Sequence, residues 1–514
     1  MYGRGNKEGL RNSTCPTEDG RGATRVRRAD FNSPQTGEKI VILGGGITGL
    51  TVAWELSKNS ELPILLIEKN VSTGGLAGSF HRRDRIFDFG SHRIHEQYDP
   101  EVLGIIRELL GDELLKRPRR GQIRIQGKFL NYPPAITQVL TSFGLAQGIR
   151  LVRDFLLSNN FFFIPHRATL PTPRTSFEEY ATRAVGKSLY ESFYRPYALK
   201  LWGVSPAALS FEPAVSRVRK FKLAAVWKEL KNKATGATSH SFYYPARGFG
   251  QIAEKIQERF IDNGGEILFE SSVERLELKN DSEIEAIHVE TGEGESRRLC
   301  ARLLISTAPI EVLHQLVCSA LGGGETAELG LSWRSLRILY LFTPDKTPSV
   351  QETYYFPESD VIFGRVSEPA KYSPFLNQFE EKTALVIEIP CTFGDEIWNL
   401  EDEVIADRCI DDLRRLKILS PGPTKDSEYF SRRIKNLYPV YELGWREKLD
   451  EALRRFNSIK NLYSLGRSAL FLHCNVDHCM SMALKLAHHL SDKKKTHEDW
   501  ERSVNDVFNL SLHE

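Results

Sequence analysis

Gly44-Gly45-Gly46-Ile47-Thr48-Gly49 places glycines at the first, third and sixth positions, a spacing with a mechanical meaning. Gly44 permits a tight turn off a strand, Gly46 lets backbone approach a pyrophosphate, and Gly49 lets helix and strand pack closely. Ile47 and Thr48 then open a helix whose N-terminal amides attract negative charge. Glu68, with Lys69 beside it, closes the next apolar run 19 residues past Gly49. A carboxylate there accepts hydrogen bonds from both hydroxyls of an adenosine ribose and repels a 2′-phosphate. Together these residues predict a dinucleotide site; a plain glycine turn in an α/β sheet is the alternative. A second glycine turn follows at Gly74-Gly75-Leu76-Ala77-Gly78, so the backbone of Gly75, Leu76 and Ala77 is expected to lie against a cofactor too. NAD needs only the first loop, whereas the second suits FAD.

Other residues have the types that chemistry uses. His92 follows Gly90-Ser91 at an expected strand end, where an imidazole could tune a flavin or move a proton. A satisfied structural histidine is the competing reading. Arg467, after Gly466, could pair with the pyrophosphate of FAD or with a substrate phosphate; a surface salt bridge is the alternative. Asn475-Val476-Asp477 marks a helix start, with Asp477 as the expected N-cap. His473-Cys474-Asn475-Val476-Asp477-His478-Cys479 invites a metal reading. However, Cys474 and Cys479 are five apart, which on a helix points them to different sides, and no second ligand cluster appears. No metal is expected. Tyr438, Tyr441 and Trp445 could wall a flavin or simply pack a core. Arg117, Arg119 and Arg120 flank Pro118 and could bind an anion or form an exposed turn.

The elements that must position these groups are legible in part. Ile40-Val41-Ile42-Leu43 and Pro63 to Glu68 read as strands buried on both faces, joined by the helix after the glycine loop. Helical patterns dominate from 93 to about 235, broken by prolines. Inside that stretch, Gln122–Ile125 and Lys128–Leu130 form a hairpin across Gln126-Gly127. Ile252, Ile256 and Phe260 recur every four residues after Gly248-Phe249-Gly250, giving an amphipathic helix that leads into the strand Glu266–Phe269. Val273 and Ser306-Thr307-Ala308-Pro309 are expected to return the chain to the dinucleotide crevice. Residues 1–37 read as a disordered leader, and Lys493-Lys494-Lys495 as a solvated helix end within a 493–514 tail.

Composition removes several function classes. Lys plus Arg number 69 against 67 Asp plus Glu, so the net charge of +2 argues against nucleic acid as the main partner. Seven scattered cysteines in a long chain suggest no disulfide framework and a reducing cytoplasm. No apolar run reaches the roughly 18 residues of a membrane span. Phe161-Phe162-Phe163-Ile164 is read as core or substrate-cavity packing, with peripheral contact to a bilayer surface left open.

Ile40 to Phe80 resembles the opening of the FAD-dependent amine oxidase and protoporphyrinogen oxidase superfamily, which phytoene desaturases share. Four further segments are similar to the UDP-galactopyranose mutase branch. They are Phe87-Asp88-Phe89-Gly90-Ser91-His92-Arg93, Tyr197 to Gly203 with its K-x-W-G, Tyr244-Pro245-Ala246-Arg247-Gly248-Phe249-Gly250, and Leu465-Gly466-Arg467 with Asn475-Val476-Asp477. The resemblance covers about residues 39–490. It implies an enzyme with FAD, in which Gly90, Ser91 and His92 lie beside the flavin and Val273 near the adenine. Arg217, Arg247, Tyr438 and Tyr441 are the candidates for gripping substrate. It implies an α/β fold: a Rossmann-like FAD-binding domain from 38–92, 243–309 and 456–492, interleaved with a mixed α+β substrate domain from 93–242 and 310–455. Hydride transfer from a small organic substrate to flavin is the expected reaction, and flavin-dependent isomerisation of a nucleotide-sugar is the alternative.

Overall fold

The computed structural model describes residues 38–507, apart from 84, 133–137, 139–143, 158–170, 213–240, 324–327, 348–349, 377–381, 421–425 and 493. The expected leader, Arg217 and Phe161–Ile164 therefore lie outside the described residues.

Lys39–Leu43 and Ile64–Ile67 are buried along their whole lengths. Strands covered on both faces need continuous apolar runs rather than alternation, which is what their sequences supply. They anchor a seven-stranded sheet in the order Glu266–Leu268, Ile64–Ile67, Lys39–Leu43, Ser296–Ser306, Glu283–Glu290, Ser272–Lys279. Leu462–Ser464, from near the chain's end, pairs in parallel with the last residues of Ser296–Ser306. The strands paired around Lys39–Leu43 are parallel, and the Ser272–Glu290 hairpin extends the sheet antiparallel. Leu43 is in register with both Ile67 and Ser306, and Ser306 with Ser464. Their carboxyl ends thus open onto one crevice, the place where parallel α/β sheets bind ligands.

Three helices cover one face of this sheet: Ile47–Ser57, Gln251–Asp262 and Val476–Ser491. Leu50, Ala53, Ile252, Ile256, Phe260, Met480 and Ala483 share one apolar cluster there, each at most 2% exposed.

A second seven-stranded sheet runs Glu428–Val440, Ser332–Thr343, Thr383–Cys391, Arg365–Ser367, Thr353–Tyr355, Gly121–Ile125, Lys128–Tyr132. The expected hairpin at its edge is present. Gln126 and Gly127, with φ of 51° and 72°, supply the two left-handed residues of a tight two-residue turn.

Two local expectations change. Between 93 and 118 the short strands Ile94–His95 and Leu114–Pro118 flank the helix Pro100–Leu110, and both pair with Ser241–Pro245. Strands this short carry no readable period. Beyond Lys494 and Lys495, which are exposed as expected, the 493–514 tail contains a helix, His497–Val507, and Trp500 is buried 5.7 Å from the ring of His489. Among the described residues, no helix is long and apolar enough to cross a membrane.

Candidate flavin site

The glycine loop leaves Leu43 and turns at Gly44, whose φ is 95°. A Cβ on Gly49 would sit 1.9 Å from the Gly44 carbonyl oxygen, so only glycine lets the helix start this close to the strand. A Cβ on Gly46 would meet nothing within 4 Å. The space in front of Gly46 is open, and no side chain caps the first turn of Ile47–Ser57. The first-turn amides are therefore left for a ligand's oxygens. The second glycine turn closes on the first. Gly74 donates to the Gly45 carbonyl at 2.8 Å, and a Cβ on Gly75 would lie 3.2 Å from the Gly46 Cα.

Glu68 ends Ile64–Ile67 and is only 6% exposed. One carboxylate oxygen accepts from the Gly45 amide at 2.6 Å, the other from the Asn70 amide at 2.8 Å and side chain at 2.6 Å. These bonds fix the carboxylate beside the loop. Lys69 is exposed at the same strand end. Ser271 donates to the Glu68 carbonyl at 3.0 Å, which brings Val273 close to this corner.

The far end of the chain meets the same loop. Gly466 has a φ of 99°, and a Cβ there would lie 3.0 Å from the Thr48 hydroxyl. Arg467 turns inward and donates to the Cys474 and Leu437 carbonyls, both at 2.7 Å. Its buried Nε has no acceptor among the described residues. Asn475, not Asp477, caps the closing helix, and its amide donates to His478 Nδ1 at 3.2 Å. Asp477 falls inside the first turn and is 2% exposed.

Gly90, Ser91 and His92 lie where the two sheets meet. Gly90 has a φ of 99°, and a Cβ there would approach Glu388 Oε1 to 3.0 Å. Ser91 donates its amide to Glu388 at 2.9 Å, and its hydroxyl lies 2.6 Å from that of Ser367. Glu388 also holds Arg365 through two bonds, at 2.9 and 2.6 Å. His92 stacks on Phe249, with ring centroids 4.8 Å apart. Burial and the Arg365 and Arg467 cations push its pKa down to about 4, against the Glu388 carboxylate. The imidazole is neutral at pH 7.

Phe249 is held in turn by Asp88. That buried carboxyl accepts from the Phe249 amide at 3.0 Å, from Ser79 at 2.5 Å and from the Tyr244 hydroxyl. Burial raises its pKa while these three bonds oppose the rise.

The family model for flavin containing amine oxidoreductases matches residues 47–466. The chain belongs to this family. A Klebsiella pneumoniae protein described as "Probable UDP-galactopyranose mutase" is 24% identical over 177 residues, 34% of this chain and 43% of that protein. The matched stretch is thus less than half of that relative's length. The crystal structure of a reduced UDP-galactopyranose mutase superposes with a TM-score of 0.71 at 22% identity, covering 88% of this chain and 94% of that one. A protoporphyrinogen oxidase-type structure from Exiguobacterium sp. 255-15 gives 0.65 at 16% identity, covering 88% and 99%. At these identities the likeness is one of fold.

As a member of this flavin-containing family, the protein takes FAD, and the residues present fit that group. The open space at Gly46, the uncapped helix start and the orphaned Arg467 Nε converge on one crevice. Among the residues singled out for substrate, the structure separates two from it. Arg247 is on the surface, its side chain 68% exposed and 3.4 Å from Glu113. Tyr441 is a core residue: its hydroxyl donates to the Phe471 carbonyl and accepts from the His473 amide, and its ring stacks 4.3 Å from Trp445. Tyr438 stands closer, with the Arg467 guanidinium 5.2 Å from its ring. Cys474 and Cys479, expected to diverge, lie 3.7 Å apart, because Cys474 precedes the helix rather than sitting on it.

Sequence reasoning missed Asp88, Arg365 and Glu388. Arg365 and Glu388 lie on strands of the second sheet, hundreds of residues from the glycine loop. Their only sequence signal was a charge inside an apolar strand, as in Val386-Ile387-Glu388-Ile389.

Proposed function

We propose that this flavoenzyme oxidises a small anionic or neutral molecule by hydride transfer, in the cleft bounded by His92, Arg365, Tyr438 and Arg467. The observation that carries the reading is the charge around His92. Three guanidiniums gather there, Arg93, Arg365 and Arg467, and two carboxylates pair with the first two, Glu352 at 3.1 Å and Glu388 at 2.6 Å. Arg467, bonded instead to the Cys474 and Leu437 carbonyls, pairs with no carboxylate among the described residues. An ammonium substrate would be repelled by that wall, whereas an anion would be drawn to it.

When bound, FAD supplies a two-electron acceptor for hydride. The chain's own residues do the rest. Gly46, Ile47 and Thr48 present amides to the pyrophosphate, and Glu68 offers its carboxylate to the ribose hydroxyls. Gly75, Leu76 and Ala77 would hold the cofactor with the second turn, and Gly466, Arg467, Asn475, Val476 and Asp477 would hold it from the start of the closing helix. His92, kept neutral, can hold a proton on one ring nitrogen and accept on the other. Arg365 remains cationic because Glu388, Tyr438 and Tyr355 overcome the effect of burial. Its side chain is 27% exposed, enough to reach a substrate anion.

A second reading, non-redox isomerisation of a nucleotide-sugar, is favoured by one feature. Arg365 and Arg467 both neighbour Tyr438, a cation and hydroxyl set that suits a diphosphate. One assay separates the two. Anaerobic mixing with anionic or neutral alcohols and acids should bleach the oxidised flavin if hydride transfer is the reaction. Isomer formation from UDP-sugars only after dithionite reduction, with no net oxidation, would replace oxidation with isomerisation. Rapid bleaching by alkylamines, undiminished in Arg467→Met, would sink the charge argument on which the substrate class rests.

A further inference from the structure

Cys474 and Cys479 contact each other with sulfurs 3.7 Å apart, and their residues are only 3% and 5% exposed. Among the described residues this is the cysteine pair in contact; Cys300, Cys318, Cys391 and Cys409 stand elsewhere as free thiols. The pair bridges two kinds of backbone. Cys474 ends the irregular segment that carries Arg467, whose guanidinium holds the Cys474 carbonyl at 2.7 Å. Cys479 is in the first turn of Val476–Ser491, its amide bonded to the Asn475 carbonyl at 3.2 Å. Closing a disulfide requires the sulfurs to approach to about 2.05 Å, a change that side-chain rotation can supply when Cβ atoms already face each other.

The surroundings make one of the two sulfurs a nucleophile. The contact with Cys474, the Thr48 hydroxyl and the Arg467 cation shift the Cys479 thiol down, against burial. The contact with Cys479 and burial push Cys474 the opposite way. A thiolate beside a protonated thiol is the arrangement of an attacking and a resolving cysteine.

We propose that Cys474 and Cys479 form a peroxide-sensitive dithiol that closes to a disulfide and ties the Arg467 segment to the closing helix. The Cys479 thiolate attacks one oxygen of hydrogen peroxide; the O–O bond breaks, and hydroxide leaves and is protonated to water. Cys479 is then a sulfenic acid. The Cys474 sulfur attacks that sulfur, the S–S bond forms, and the departing hydroxide takes the Cys474 proton as a second water. Two thiols lose two electrons, and one peroxide becomes two waters. Hydrogen peroxide is small enough to reach a buried pair that larger disulfide reagents would not. The bond fixes Cys474, whose carbonyl Arg467 holds, to the closing helix, so amide exchange in this segment should slow.

The test uses the FAD-loaded full chain. After mild hydrogen peroxide treatment, a non-reducing peptide map should show Cys474 joined to Cys479, lighter by two hydrogens and reversed by dithiothreitol. Hydrogen exchange over residues 468–478 should slow severalfold in the oxidised protein and recover on reduction. In Cys474→Ser, which lacks the resolving thiol, Cys479 should run on to sulfinic acid, and exchange should not slow. The proposal is overturned if both thiols remain alkylatable after unfolding, or if wild-type Cys479 is over-oxidised without any cross-link. Cross-linking with unchanged exchange would overturn the constraint on the Arg467 segment. Because the wild-type map reads the bond directly, the proposal stays testable even if a variant folds poorly.

Discussion

Gly46 and Gly49 are three residues apart and answer to different demands. Among the described residues nothing fills the place of a Gly46 side chain, so Gly46→Val should fold normally and lose FAD, because its isopropyl group occupies the pyrophosphate's space. The check is flavin absorbance after purification beside an unchanged circular dichroism spectrum; a yellow, stoichiometric variant would refute the cradle. Gly49→Ala should instead destabilise the protein by on the order of 3 kcal/mol, since its Cβ collides with the Gly44 carbonyl. His92 gives a pH prediction. Its folded pKa of about 4 lies below the usual 6.5, so the folded state binds this proton less readily than the unfolded chain. Its contribution is full above pH 6.5 and is lost as pH falls towards 4, on the order of 3 kcal/mol in total. In His92→Gln that part of the slope should vanish, which urea unfolding at several pH values would measure. An identical slope in the variant would show that the imidazole titrates normally.

At the scale of elements, two attachments organise the site. Asp88 ties the end of Arg85–Asp88 to the turn before Gln251–Asp262 and, through Phe249, sets the face against which His92 stacks. Asp88→Ala leaves buried donors of Ser79, Tyr244 and Phe249 without an acceptor and should cost about 3 kcal/mol. Asp88→Asn, which keeps an acceptor, should cost less than half of that. Equal losses in the two variants, measured by denaturant unfolding, would mean that shape rather than hydrogen bonding holds the turn. The helix His497–Val507 docks through Trp500 and Val504, with the Trp500 ring near Tyr463 and His489. Trp500→Ala should remove about 3 kcal/mol of docking energy. Amide exchange should then become fast over 497–507 while Ile47–Ser57 stays protected.

Taken whole, the molecule joins its two large sheets at one seam, and the seam is part of the site. Ser91 reaches Glu388 and Ser367, and Tyr340 donates to the Asp88 carbonyl at 2.6 Å, all across from the first sheet's crevice to the second sheet. FAD occupying that crevice binds the folded protein and not the unfolded chain, so saturation at one hundred times its Kd should add about 2.7 kcal/mol. Thermal unfolding of the same preparation with and without FAD should show the rise. Coincident transitions would mean that the cofactor does not bridge the fold as assigned.

Local constraints made much of this readable beforehand. Gly44, Gly46, Gly49 and Glu68 act within one strand–turn–helix–strand unit, where spacing alone fixes geometry, and the same holds for the Gln126-Gly127 hairpin and the 252–260 helical face. The family resemblance extended this to His92 and Arg467. Other features follow from how distant segments meet, and no short-range pattern encodes them. Arg365 and Glu388 reach Ser91 only because the second sheet turns its strands towards the first. Tyr441 is in the core and not at the cleft because its hydroxyl meets the Phe471 and His473 backbone. Cys474 and Cys479 touch because the helix begins at Val476, two residues after the first of them. By itself the sequence determined the cofactor, since pyrophosphate recognition rests on backbone conformation near consecutive glycines. The tertiary structure alone decided the charge and shape of the proposed substrate cleft, because side chains hundreds of residues apart acquire a common environment only after the chain has folded.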